Sequence, residues 1–402
     1  MRIKKLNSNK MKLAFSSFFT IFVVLYFSGS ALYVVTEFKL SVVLSILCSC
    51  LFFPRILKHL QNKISLCDTA YLFFIFLISL NTVLYFENLT FNLFLISIIS
   101  IAYSISLKYS DSSLKKTIIN VTLFLALSTI IGTFLLRNTT LLNNLPEGIS
   151  GNGWTYKIGI IYNYLPVIEN RVMGLFWEPG ILASYLSVGL IVYITTLKDK
   201  IHGKNLLYIG LIIWSIILST SSAGYILVVL SITLLSVRGL KNESGYRFLF
   251  RFLTLIILII GLLSIEEIIN FFGLTDNEYV KKLLFSNIEN SSRFLAFDNN
   301  IKGWLMRPIF GYGLTDAQSA AIQFYDVSTT TYLMILFGIG GLVYTILFIY
   351  GILNKKMNSY MKLLIIAMLF IIINKEPHYY NLATWLILFV LLKNERRVVQ
   401  FG

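Results

Sequence analysis

Charge is scarce in this sequence. Only 13% of its 402 residues are Asp, Glu, Lys or Arg, where a soluble chain carries about a quarter. That shortage excludes an ordinary cytosolic enzyme and a disordered chain. Cysteine is scarce too, with three residues, Cys48, Cys50 and Cys67. Three thiols without a four-ligand spacing exclude a disulfide framework and a zinc module. Cys48 and Cys50 lie inside an apolar run and read as thiols buried in a membrane. Histidine is limited to His59, His202 and His378, with no second ligand at metal spacing, so the sequence predicts neither metal nor cofactor. Also missing are a phosphate-binding P-loop, a Gly-x-Ser-x-Gly elbow and a zinc-protease helix. These absences argue against an ATP-driven pump, a serine hydrolase and a metalloprotease.

Hydrophobic residues, by contrast, make up 56% of the chain, including 32 Phe and 23 Tyr, and the mean hydropathy is +0.76. This is the composition of a polytopic membrane protein. Apolar runs of spanning length occur at 13–35, 69–86, 89–107, 117–136, 174–197, 222–237, 248–265 and 328–353. Shorter ones lie at 38–53, 206–220, 361–374 and 378–392. The expected fold is an all-α integral membrane protein, residues 1–402 forming a single transmembrane domain of about twelve helices. The first run follows five basic residues, as a signal peptide does. Its apolar part is too long and no small-residue cleavage site follows, so it reads as a retained helix.

Twelve spans place both termini on one side. With that side cytoplasmic, segments 1–12, 54–68, 108–116, 198–205, 238–251, 354–362 and 393–402 hold 24 of the 34 Lys and Arg. Of the 19 acids, 14 fall on the outer side or at outer helix ends. The positive-inside rule thus supports a membrane protein with both termini cytoplasmic. It also explains the net charge of +15 without nucleic acid.

Two outer loops are long, 137–173 and 266–327. Loops of that length carry function or helices of their own. In the second, Tyr279, Val280, Leu283 and Leu284 form one apolar stripe, and Phe294, Phe297, Ile301, Trp304 and Leu305 form another. Both predict short amphipathic helices in the interface plane.

Three groups on the outer face can carry chemistry. The first is Arg171 through Trp177, Glu178, Pro179 and Gly180. The residue before Pro avoids helix and Pro suits the first helical position, so a helix is expected to start at Pro179 with Glu178 at its N-cap. Glu caps poorly, and a carboxylate at the mouth of a span reads as functional. The second is Arg293, Asp298, Lys302 and Arg307, ahead of Pro308-Ile-Phe-Gly311-Tyr-Gly313. The third is Lys375-Glu376-Pro377-His378 in the last outer turn.

The run Gly174-Leu-Phe-Trp-Glu-Pro-Gly-Ile-Leu-Ala-Ser184 after Arg171 resembles the entry segment of the O-antigen polymerase and ligase superfamily. So does Trp304-Leu-Met-Arg-Pro-Ile-Phe-Gly-Tyr-Gly313, followed by Ser328-Thr-Thr-Thr-Tyr-Leu and Phe337-Gly338-Ile-Gly-Gly341. The motifs cover 171–350, and the remainder is similar in topology. The resemblance implies transfer of glycans from undecaprenyl diphosphate at the outer face of a bacterial plasma membrane. Ligases of the superfamily place a His about eleven residues ahead of the Gly-x-x-Gly, where this chain has Val327. Glu178 also stands where ligases commonly have Asn. Both departures point to the repeat-unit polymerases, called Wzy-like, of O-antigen lipopolysaccharide or capsule. The ligase, and a transporter or flippase of lipid-linked oligosaccharide, are the alternatives.

On this reading the partners are an undecaprenyl-diphosphate-linked oligosaccharide and membrane lipids, with a chain-length regulator and a flippase as candidate protein partners. Glu178 is the candidate base for the attacking sugar hydroxyl. Arg171 and Arg293 are the candidate diphosphate clamp, which needs no metal. Trp177, Arg307, Asp298 and His378 are the further substrate-binding candidates, and Asp298, Asp316 and His378 are the next candidates for the base.

Overall fold

The computed structural model describes residues 17–61, 64–85, 89–137, 144–150, 153–159, 162–165, 172–197, 203–238, 292–314, 317, 328–375 and 378–393. The chain is mostly helical. In order come α1 (Ser17–Tyr26), α2 (Ala31–Val35), α3 (Phe38–Leu60), α4 (Leu66–Tyr85), α5 (Leu89–Lys108) and α6 (Asp111–Arg137). Three strands follow, β1 (Glu147–Ile149), β2 (Thr155–Ile158) and β3 (Asn163–Tyr164). The remaining helices are α7 (Pro179–Thr196), α8 (Gly203–Leu218), α9 (Ser222–Arg238), α10 (Ser292–Met306), α11 (Thr329–Phe337), α12 (Ile339–Leu353), α13 (Ser359–Lys375) and α14 (Leu382–Leu392).

Among the described residues, five helices are long and apolar enough to cross a bilayer: α3 to α7. The apolar helices α1, α8, α9, α12 and α14 are shorter. The protein is therefore a membrane protein, and the structure departs from a uniform set of twelve full spans. Runs 13–35 and 328–353 are each interrupted, and run 248–265 lies outside the described residues, as does the 279–284 stripe. A helix, α10, covers the second amphipathic stripe.

Helix α5 lies at the centre, buried at every residue from Ser97 to Ser106 and at Phe94 and Leu95, between α3, α4 and α14. Its apolar residues occupy every face, as expected of a helix enclosed by others. Helix α7 is enclosed in the same way by α6, α8 and α9. Tyr71 and Tyr103 stack at 4.2 Å, and Trp385 packs edge-on to Phe74 and Tyr344. Helix α3 runs past its apolar stretch, through Pro54, to Leu60. Pro54 has no amide hydrogen, so one internal bond is missing there.

The two ends of the bundle differ in chemistry. At one end, Lys393 donates to the carbonyls of Ser106 and Tyr109 at 2.7 and 2.8 Å, and Lys355 donates to those of Val390 and Lys393. Ammonium groups here cap the carbonyl ends of α5 and α14, where the helix dipole is negative. The same end holds Asp68, 1% exposed. It accepts from Tyr103 Oη at 2.5 Å and from Ser65 N at 2.6 Å, and lies 3.2 Å from His59 Nε2. Ser65 and Asp68 form a reciprocal cap at the start of α4.

Two interruptions shape the other end. Run 13–35 stops at Tyr26, turns through Gly29 at φ +85° and resumes as α2, capped by Ser30. Run 328–353 breaks at Gly338, with φ +55°, because a separate segment enters the gap. Ile339 N donates to Ile309 O, and Tyr312 N donates to Ile335 O at 2.7 Å. Gly311 and Gly338 face one another so closely that a Cβ on either would sit 2.4 Å from a carbonyl oxygen, Ile335 O and Ile309 O respectively. Only glycine accepts both the positive φ and the contact. Gly338→Ala is accordingly expected to destabilise the chain by at least about 1–3 kcal/mol, the scale of backbone strain alone. The check is the thermal midpoint in detergent, and an unchanged midpoint would show that the break is not held this way.

The all-α expectation needs one correction. Segment 144–165 carries a small antiparallel sheet in the order β1-β2-β3. Glu147 pairs with Lys157 in register, and their side chains form a 2.5 Å ion pair. Helix fails here for a local reason: Pro146, Gly148, Gly151 and Gly153 break helical periodicity, while the extended strands satisfy their backbone by pairing.

Candidate functional site

Polar side chains gather at the end opposite Lys393, and helix starts position most of them. Ser328 is the N-cap residue of α11. Its Oγ donates to Asn374 Oδ1 at 2.7 Å, Thr330 N donates to the same oxygen at 3.1 Å, and Thr330 Oγ1 also donates to it. Next along the chain, Lys375 Nζ donates to Ser221 Oγ. Ser221 precedes α9 and accepts from Gly224 N at 3.2 Å, which satisfies one of the amides left open at a helix start. His378 N donates to Thr329 Oγ1 at 2.7 Å, and Asn300 of α10 donates to Thr331 Oγ1 at 3.2 Å.

His378 is 2% exposed and lies in a short 3-10 turn, His378–Tyr380. Its Nδ1 accepts from Asn381 Nδ2 at 3.0 Å, which leaves Nε2 carrying the proton in the neutral ring. Asn381 is the N-cap residue of α14, and its buried Oδ1 makes no hydrogen bond among the described residues. The His378 ring lies 6.2 Å from that of Tyr185, on α7. The turn is fixed to the first helix as well, since Leu382 N donates to Phe27 O at 2.9 Å and Ala383 N to Ser28 Oγ at 3.0 Å.

Glu178 sits where the sequence places it. It is the N-cap residue of α7, extended at φ −143°, with Pro179 beginning the helix and no capping bond from its side chain. The residue is half-buried. The sheet supplies its neighbour, Tyr156 of β2, which is 1% exposed and whose hydroxyl donates to Trp177 O at 3.4 Å. Burial first, and the Glu178 charge second, push the Tyr156 hydroxyl up to about 12, so it keeps its proton at neutral pH. Tyr156 packs with Ala31, Leu165 and Met173, and Trp177 closes that cluster. Trp177 N donates to Gly29 O, and Ala31 N to Leu175 O. The approach to α7 is thus tied to the α1–α2 turn. Tyr185 lies seven residues into α7, about 10 Å deeper than Glu178. Glu178 and His378 therefore occupy two levels of one end, linked through Tyr185.

Four helix starts meet here: those of α7, α9, α11 and α14. A Cβ on Gly224 would lie 3.3 Å from Ala183 Cβ, which brings the beginnings of α7 and α9 together, and residues 374–381 bond directly to the beginnings of α9, α11 and α14. Each start carries the positive end of a helix dipole, although several first-turn amides are already bonded, among them Gly224 N, Thr330 N, Leu382 N and Ala383 N. Together with Lys375 they make an end suited to an anion, and phosphate in particular.

The other sequence-identified residues are distributed around this cluster. Arg171 and Asp316 lie outside the described residues, as does Glu376. Position 293 is in the first turn of α10, on the same helical stripe as the buried Ala296, Asn300 and Gly303, and its side chain lies outside the described structure. Asp298 is paired with Lys302 at 2.5 Å on a partly exposed face. Arg307 is exposed and stacks on the Tyr312 ring at 4.4 Å. Among the described residues no three His, Cys, Asp or Glu side chains group as metal ligands, and Cys48, Cys50 and Cys67 are free thiols.

Sequence reading missed Asn374, Asn381, Asn300, Tyr156 and Tyr185. Two of the three amides, Asn374 and Asn381, had a legible sign. Both lie at the ends of apolar runs, where a side chain that donates and accepts is costly unless satisfied. Tyr156 had none, because only the sheet brings it to Glu178. The chain matches no family model, no curated protein and no solved structure.

Proposed function

We propose that the chain is a polysaccharide polymerase of the glycosyltransferase type. On this reading it joins oligosaccharide repeat units carried on undecaprenyl diphosphate, at the outer face of the bacterial plasma membrane. The observation that carries the reading is the meeting of four helix starts with Lys375 at the end of the bundle where the half-buried Glu178 also stands. An electropositive end built from backbone dipoles suits a diphosphate leaving group. A carboxylate at that end suits the removal of a hydroxyl proton. The sequence resemblance supplies the substrate class.

In the proposed step, the hydroxyl oxygen of one repeat unit attacks the anomeric carbon of the other. The bond from that carbon to the diphosphate oxygen breaks, and the lipid diphosphate leaves with the electron pair. Glu178 takes the hydroxyl proton. Arg171 and Arg293 hold the diphosphate, with the helix starts adding to the same field. Trp177 offers an aromatic face to a sugar, while His378 and Asn381, 2% and 1% exposed, would reach a sugar hydroxyl only if the turn before α14 opened. Asp298 and Arg307 lie farther along α10 and its following turn, where they would meet a longer portion of the glycan.

The proposed orientation places the basic end, with Lys355, Lys356 and Lys393, in the cytoplasm. In a chain freed of native cysteines, a cysteine at position 302 is expected to react with an impermeant reagent from outside, and one at 356 only after permeabilisation. The reverse pattern would overturn the orientation.

A second reading has one observation in its favour. The break at Gly338 is of the kind found in transporters, where half-helices meet at a binding site. Surface glycan from cells lacking the chain distinguishes the possibilities. A single repeat unit still attached supports the polymerase. Loss of all attached glycan overturns it, in favour of a ligase if lipid-linked polymer accumulates outside and of a flippase otherwise.

A further inference from the structure

A cavity opens at the basic end of the bundle and reaches inward as far as Ser28 and Tyr185, below the turn of His378. The cavity, of about 410 Å³, lies among α1, α6, α7, α13 and α14. Its walls are nearly all apolar, represented by Ile21, Leu25, Leu125, Val188, Leu369 and Leu386. Ser28 and Tyr185 wall its deep end. Its mouth is different: Lys115, Lys355 and Lys356 stand there with Asp111. An adjoining recess adds Lys116 with the hydroxyls of Ser110, Ser112 and Thr196. The ammonium groups of Lys115, Lys116 and Lys356 thus stand with one carboxylate where the slot opens, and Lys355 beside them also holds the carbonyls of Val390 and Lys393.

Depth identifies the occupant. On α6 the lining runs from Lys115 to Leu125, and on α7 from Thr196 back to Tyr185. At 1.5 Å per residue the spans are about 15 and 17 Å, roughly half of a hydrocarbon core of about 30 Å. The slot therefore accommodates a chain that reaches the bilayer midplane and stops, as the acyl chain of one leaflet does. A polyprenyl chain is far longer than this depth. An apolar slot one leaflet deep, ringed at its mouth by lysines, matches an amphiphile with an anionic head.

We propose that this slot, walled by α1, α6, α7, α13 and α14 and rimmed by Lys115, Lys116, Lys355 and Lys356, binds one acidic phospholipid from the adjacent leaflet. One acyl chain fills the slot, and the headgroup phosphate meets the lysines. This site is independent of the polymerase reading and rests only on the protein being in a membrane.

The test uses the full chain purified in detergent and titrated with lipids under native mass spectrometry. Phosphatidylglycerol is expected to bind at one molecule per chain and ahead of phosphatidylcholine of the same chain length. Lys115→Gln and Lys356→Gln are each expected to weaken phosphatidylglycerol about fivefold, the effect of one ammonium beside an anionic head, and to leave phosphatidylcholine unchanged. Val192→Trp, which fills the slot from α7, is expected to abolish the saturable binding. Should that variant fail to fold, the lysine variants, on the partly exposed rim, decide the matter. Equal binding of the two phospholipids, or lysine variants without effect, would overturn the proposal. Preferential retention of a polyprenyl monophosphate over phosphatidylglycerol would overturn it in favour of a lipid-carrier site.

Discussion

Replacing Glu178 by Gln is expected to lower polymer turnover by about two to four decades, the usual loss when a general base is removed. The substitution keeps the length and shape of the side chain and removes only the proton acceptor. Its backbone need not change, because Glu178 holds its extended N-cap conformation without a capping bond from its side chain. Donor affinity is expected to stay near that of the wild type, since the diphosphate is assigned to other groups. The measurement is single-turnover transfer with a purified chain and a defined lipid-diphosphate repeat unit, at saturating donor. Wild-type turnover in the Gln variant would make the residue structural and move the search for the base to His378, Asp298 and Asp316. Lost donor binding with intact turnover at saturation would instead make Glu178 a positioning residue for Arg171.

Arg171→Ala and Arg293→Ala are each expected to lower kcat/KM by about two to three decades, as when one donor to a developing oxyanion is lost, and together to abolish polymer. Protein level should not fall. Position 293 lies two helical turns before Asn300 on one stripe of α10, and Asn300 bonds Thr331 in the first turn of α11. Lys is expected to rescue poorly at both positions, because a point charge does not reproduce a bidentate fork. Full activity in a chain carrying Arg171→Lys and Arg293→Lys together would reduce both to generic contacts with lipid headgroups.

These expectations rest on features of unequal legibility. The start of α7 was readable from two adjacent residues, since Pro179 constrains both its own φ and the conformation of Glu178. Helix α10 was readable from its apolar spacing, and the chemical difference between the two ends from the lysine and arginine count. The break at Gly338 was not. A Gly within an apolar run is compatible with an unbroken helix, and the break exists because Ile309 and Gly311, far away in sequence, place their backbone in the gap. The sheet at 147–164 was missed because strands of two to four residues leave too short a pattern to register.

Local chemistry, then, was enough to determine a basic, polytopic helical membrane protein, the cap at Glu178 and the candidates around it. Those properties depend on composition and on neighbours within a few residues. Tertiary structure alone decided that α9, α11 and α14 begin around residues 374–381, that Tyr156 reaches Glu178, and that His378 is enclosed by Thr329, Asn381 and Tyr185. Most of those contacts join segments widely separated in the chain. They form only because burying a polar group in an apolar bundle is costly until another segment brings it a partner.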